Sequence, residues 1–159
     1  MPAVPHVANT ARKFHFISGM PRSGSTLLAA ILNQNPRFRS GMTSPLADIM
    51  GVVMAEASSK NDFAFDVSDE QRVAMLRGLV GNFYAGQADA GVIFDTSRLW
   101  CSRMQLLETL FPEAKVIACV RQLSWVLDSM ERLVRRQPVG VSKVFRFTPT
   151  PRCTRVSRR

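Results

Sequence analysis

Apolar positions along this chain follow two rhythms. Phe14 to Ser18, Gly91 to Asp95 and Lys115 to Val120 are short runs with β-branched or aromatic members, the pattern of strands buried on both faces. The stretches between them carry apolar residues at helical spacing. Residues 25 to 34, STLLAAILNQ, are rich in helix formers, open on Ser23 or Ser25 as a cap and stop near Asn35-Pro36. Pro45 to Ser58 predicts a second helix. Ser68-Asp69-Glu70-Gln71 is a capping box that opens a third, running to about Gly86 with Gly78 and Gly81 weakening its middle. Leu99 to Leu110 predicts a fourth, stopped by Pro112, and residues 123 to 136 a fifth, with Trp125, Val126, Leu127, Met130, Leu133 and Val134 as its apolar positions.

Strands separated by helical crossovers require a parallel sheet covered on both faces, a three-layer α/β fold with Phe14 to Ser18 as a central strand. Past Gln137-Pro138 the pattern fails, and TPTPRCTRVSRR has neither periodicity nor enough apolar residues to order itself. The expected organisation is a flexible start over 1–13, one α/β domain over 14–137 and a disordered basic tail over 138–159.

Charge sharpens that division. The net charge of +9 suggests a nucleic-acid binder. Yet residues 1 to 131 hold 12 Lys or Arg against all 12 Asp and Glu, and the nine remaining basic residues follow Glu131 without an acid among them. The folded part is neutral, so no specific nucleic-acid partner is expected. At 159 residues, 46% hydrophobic and 21% charged, the chain has one globular domain's worth of core. No apolar run approaches the roughly 18 residues of a membrane span, and the first residues lack the apolar centre of a secretory signal, which points to the cytoplasm. Cys101, Cys119 and Cys153 lack metal-type spacing and read as buried free thiols.

The chemistry is concentrated after the first strand. Gly19-Met-Pro-Arg-Ser-Gly24-Ser25-Thr26 fits the phosphate-loop pattern at both glycines and the final hydroxyl, with Ser25 where a lysine is usual. A strand leading through glycines into a helix aims free N–H groups and the positive helix end at one point. Arg22 supplies a cation whose planar fork suits phosphate or sulfate oxygens. A bland strand-to-helix turn is the alternative for this loop, and a structural ion pair the alternative for an isolated arginine such as Arg121.

GMPRSGSTLL resembles the 5′-phosphosulfate loop of the sulfotransferases that use 3′-phosphoadenosine 5′-phosphosulfate (PAPS). VIACVRQLSWVLDSMERLV, residues 116 to 134, is similar to that family's 3′-phosphate motif, a strand ending in arginine with serine eight residues later, here Arg121 and Ser129. The resemblance covers residues 14 to 136 and implies a phosphate-loop NTPase-like topology. It also implies a metal-free nucleotide site in which Pro21, Arg22, Ser23, Gly24, Ser25 and Thr26 hold the phosphosulfate, while Arg121 and Ser129 hold the 3′-phosphate. Sulfuryl transfer to a hydroxyl or amine of a small-molecule or peptide acceptor follows from the same likeness. Arg22 would then be the main electrostatic stabiliser, Asp95 the base and Arg98 a second cation. For Asp95 the competing expectation is a helix cap for residues 98 onward; His15 is expected to be packed rather than catalytic.

Two departures qualify the likeness. Gln122-Leu123 stands where the family has Asp-Pro, and nothing after residue 137 looks like the family's carboxyl-terminal part. The sheet is therefore expected to be incomplete at that end, the activity of the piece uncertain, and its uncovered apolar faces prone to self-association. Acceptor selectivity would reside in residues 41 to 90 and in the further carboxyl-terminal region. Two readings from other classes remain: a small-molecule kinase on the same scaffold, which the absent lysine disfavours, and a non-enzymatic module whose basic tail binds RNA or anionic lipid.

Overall fold

Phe16 and Ile17 are neighbours on one strand, point to opposite faces and are both fully buried, so this strand is covered on two sides. The computed structural model describes residues 12–58, 67–87 and 89–136. Its elements run β1 (Lys13–Gly19), α1 (Ser25–Leu32), β2 (Phe38–Ser40), α2 (Leu46–Glu56), α3 (Asp69–Phe83), β3 (Val92–Thr96), a 3₁₀ turn (Trp100–Arg103), α4 (Met104–Leu110), β4 (Val116–Cys119) and α5 (Leu123–Arg136). The four strands pair in parallel in the order β2-β3-β1-β4, with helices on both sides, giving the expected three-layer α/β arrangement with β1 inside the sheet.

One face carries the main core. Phe16 and Ile93 meet Trp100, Leu46, Met50, Leu76, Val80, Leu107 and Leu110 there, beneath α2, α3 and α4. The Phe16 ring meets Trp100 edge-on at 4.9 Å between centroids. Each such side chain contributes about 1.5–3 kcal/mol on leaving water, so this layer dominates stability. On the opposite face α1 packs across β1, β2 and β3 with Ala29 buried. The capping box of α3 forms as expected: Gln71 N donates to Ser68 Oγ at 3.2 Å and Ser68 N to Gln71 Oε1 at 2.8 Å.

Several expectations shift. β2 went unpredicted because Phe38-Arg39-Ser40 is too short for any period; it is a strand only through pairing with β3, and Asn33 completes its far edge through both backbone groups of Ser40. The helix expected from Leu99 opens as a 3₁₀ turn before α4. β1 begins at Lys13, and Arg12 Nη1 donates to Tyr84 O at 2.9 Å, so the structured region starts slightly earlier than 14. Cys101 is exposed rather than buried and Cys119 half-buried, both as free thiols, with desolvation first and Cys101 second pushing the Cys119 thiol up. Most of residues 1–13, Cys153 and the segment 138–159 lie outside the described residues. Among those described, no helix is long and apolar enough to cross a membrane.

Candidate functional site

The loop after β1 is built by two close approaches and two unusual dihedrals. A Cβ at Gly19 would stand 2.6 Å from the Cys119 carbonyl and from Ser23 Oγ, so only glycine lets the chain turn against β4. Arg22 (φ 68) and Gly24 (φ 105) then take the left-handed region. That conformation costs an arginine about 1–2 kcal/mol. Gly24 precedes α1 as its N-cap and no side chain caps the helix, so the expected capping by Ser23 or Ser25 does not occur. The first-turn amides of α1 therefore have no side-chain acceptor, the arrangement in which a helix start can take an anion. Ser23 Oγ is buried with no hydrogen-bond partner, a hydroxyl left over inside the loop.

The two motifs recognised far apart in the sequence meet in space. Arg22 Nε donates to Ser129 Oγ at 2.9 Å, and Arg121 Nη1 donates to the Arg22 carbonyl at 3.1 Å. Arg121 leaves the end of β4 and lies 5.6 Å from the centroid of the exposed Trp125 ring. Among the described residues it pairs with no carboxylate, so its charge is not spent on a structural ion pair. Arg121, Trp125 and Ser129 line an open cleft of about 440 Å³, and Arg22 with Ser129, Arg132 and Arg136 a smaller one of about 260 Å³ beside it. Arg132 and Arg136 bring further cations that the motif spacing did not single out. Arg132 is held by Asp128 at 2.6 Å. Arg98 lies across the loop, lining a cleft of about 530 Å³ with Met20, Pro21 and Arg121. Ser18 Oγ joins that side together, donating to the Arg98 carbonyl at 3.1 Å and accepting from Cys101 N at 3.2 Å. Ser25 is half-buried at the first position of α1 and Thr26 exposed beside it.

Asp95 stands apart from these groups. It is fully buried on the core face, where Tyr84 Oη donates to Oδ2 at 2.5 Å and Trp100 Nε1 to Oδ1 at 2.6 Å. Burial first, and the Asp95 charge second, push the Tyr84 hydroxyl far above its ordinary range, so it remains a donor. Both oxygens are occupied by core side chains, which leaves Asp95 out of reach of an acceptor, contrary to the expectation of a base. Nor is it the cap foreseen as the alternative: neither the 3₁₀ turn nor α4 has a side-chain cap, and it is Ser97 Oγ that accepts from Leu99 N, at 3.3 Å. Sequence reasoning saw an acid at a strand's carboxyl end; it could not see that the strand's alternation turns the acid inward under Trp100. His15 is packed as expected, its ring 5.4 Å from Phe94 and its Nδ1 accepting from Lys115 N at 3.1 Å.

The residues present fit a phosphosulfate nucleotide. An uncapped helix start, an unpartnered buried hydroxyl and Arg22 share one loop, and Arg121 and Ser129 stand against it, a basic and hydroxyl pair suited to a second anion. A search of curated proteins finds no match. The profile described as the sulfotransferase family matches residues 15–158, past the stretch over which the two motifs were legible and into the basic segment. With nearly the whole chain so matched, from β1 through the phosphate loop and the arginine–serine motif, the chain belongs to the sulfotransferase family.

Proposed function

We propose that this chain binds PAPS through the loop between β1 and α1 and transfers its sulfuryl group to the hydroxyl or amine of a small-molecule or peptide acceptor, the bond to the bridging phosphate oxygen breaking as the new bond forms and the acceptor's proton passing to water. The supporting observation is the convergence of Arg22, Arg121 and Ser129, which stand up to 107 residues apart in sequence and meet at 2.9–3.1 Å. When bound, the nucleotide supplies an activated sulfuryl group on a phosphate leaving group. The protein's part is to hold both ends of the nucleotide and to accept the charge that develops at the leaving oxygen.

In this reading the amides of Ser25 and Thr26 and the Ser23 hydroxyl bind the 5′-end, over the turn formed by Pro21 and Gly24. Arg22 exchanges its Ser129 bond for the anionic oxygens and stabilises the leaving phosphate. Arg121 and the released Ser129 hold the 3′-phosphate, with Arg132 and Arg136 adding positive potential nearby. Arg98, which lines a cleft with Met20 and Pro21 on the other side of the loop, serves as the second cation in this reading. Asp95 positions the end of β3 and moves no proton.

The test is calorimetric titration with adenosine 3′,5′-bisphosphate, compared with ATP and Mg²⁺. The bisphosphate is expected to bind more tightly, and Arg22→Ala or Arg121→Ala to weaken it about tenfold or more, as for a charge-assisted hydrogen bond. Preference for ATP with Mg²⁺ would instead indicate a kinase on this scaffold. Affinity indifferent to both substitutions would overturn the assignment of the loop.

A further inference from the structure

The largest cleft among those described lies at the other end of the sheet. It encloses about 850 Å³ between α3, the start of β1 and the turn that leads from α4 into β4. The seven residues of β1 separate it from the phosphate loop, roughly 20 Å at 3.3 Å per residue. It shares no lining residue with the three clefts around the loop.

Its lining combines two chemistries. Arg12 with its neighbour Lys13, Arg77 and Lys115 come from three parts of the chain to the same cleft, against a single acid, Glu113. The floor is aromatic: Phe14 and Phe111 lie 5.4 Å apart, and both are half-buried. Two of the cations are fixed in place through the backbone. Arg12 Nη1 donates to Tyr84 O and Arg77 Nε to Leu110 O at 2.8 Å, which aligns the stems and leaves further guanidinium donors on each. Lys115 and Lys13 also act on His15, whose pKa is lowered first by desolvation and then by these two charges, as a standing positive potential requires.

The glycines of α3 are otherwise unexplained. Gly78 and Gly81 sit three apart, each costing the helix about 1 kcal/mol relative to alanine. Neither is needed for close packing, because a Cβ at either position would meet nothing within 4 Å. Both line the cleft, and side chains there would reduce it. The helix gives up stability and keeps a groove open over the aromatic floor.

From this arrangement we infer a second binding site, for an organic anion that places an apolar, ring-sized body on Phe14 and Phe111 and a phosphate or sulfate group among Lys13, Lys115, Arg12 and Arg77. The site is independent of the nucleotide assignment. Its chemistry excludes both a neutral aromatic and a bare oxyanion as good ligands, because each would satisfy only half of the lining.

Calorimetry or fluorescence titration of the whole chain with 1-naphthyl phosphate tests this, with 1-naphthol and inorganic phosphate as comparison arms. The ester is expected to bind more tightly than either component alone. Lys13→Glu with Lys115→Glu is expected to weaken it about tenfold or more, and Gly81→Phe to abolish it by filling the groove. Lys115→Gln, an exposed neutral replacement that keeps the fold, is expected to give an intermediate loss. Saturating adenosine 3′,5′-bisphosphate should leave the ester's affinity unchanged. Equal binding of 1-naphthol, equal binding by the charge-reversed and Gly81→Phe variants, or competition by the bisphosphate would each overturn the site.

Discussion

The Asp95 carboxylate of β3 and the loop that follows β1 lie on neighbouring strands of one sheet and treat their polar groups differently. Within β3, Asp95 is fully buried and has both oxygens paired, with Tyr84 and Trp100, while the hydroxyl of the next residue, Thr96, is buried and unpaired. After β1, Ser23 Oγ is buried and unpaired, Arg22 holds a left-handed dihedral, and α1 begins without a side-chain cap. An orphan costs about 1–3 kcal/mol, and Ser40 and Thr96 carry one each, but only the β1 loop combines an orphan with a left-handed arginine and an uncapped helix start. Asp95 belongs to the core, although its place at a strand's carboxyl end made it the expected base.

Asp95→Ala should show the largest effect on this contrast. It strands the Tyr84 hydroxyl and the Trp100 indole in the core and is expected to cost about 2–6 kcal/mol, one desolvated donor each, in denaturant unfolding. Bisphosphate affinity of the remaining folded protein should hold; a selective loss of binding without a loss of stability would return Asp95 to the site. Arg22→Gly is expected to do the reverse. Binding should fall about tenfold to a hundredfold, while stability rises by as much as about 1 kcal/mol because glycine accepts φ 68 without strain. Equal stability in Arg22→Gly and wild type would remove strain from the account of the loop.

Tyr84→Phe sharpens the comparison on the β3 side. One oxygen of Asp95 loses its partner while Trp100 still donates, so a cost of about 1–3 kcal/mol is expected in the same unfolding measurement. The smallest effect belongs to His15. Its pKa in the folded chain is lowered, so the unfolded chain takes the proton more readily. The stability gained from the neutral ring is present above the ordinary histidine value of about 6.5 and is lost as pH falls through the lowered one. His15→Gln keeps an acceptor for the Lys115 N–H and should flatten the acid side of a melting-temperature profile between about pH 7 and 5, while leaving the neutral side unmoved.

Much of this protein was legible before its structure. Runs such as VIFDT and VIAC are continuous and β-branched, the Ser68 capping box is a local hydrogen-bond pattern, and Pro112 ends α4 by removing a donor; each acts within a few residues. The phosphate loop was readable for the same reason, since two glycines and a hydroxyl set the backbone locally.

What escaped depended on neighbours distant in sequence. β2 exists because β3 and Asn33 complete its backbone bonds, and Phe38-Arg39-Ser40 alone carries no sign of either. Exposure of Cys101 follows from a 3₁₀ turn at the sheet's end, where helical periodicity had suggested an interior. The role of Asp95 turned on which side of β3 faces Trp100, and the groove over Phe14 and Phe111 on the packing of α3 against α4. Sequence alone determined the α/β order, the phosphate-loop turn and the Arg121–Ser129 spacing, because these are set by short-range backbone preference and periodicity. Only tertiary structure decided that Arg22 reaches Ser129 and that Asp95 is sealed in the core, because a side chain's partners are chosen by packing across the sheet.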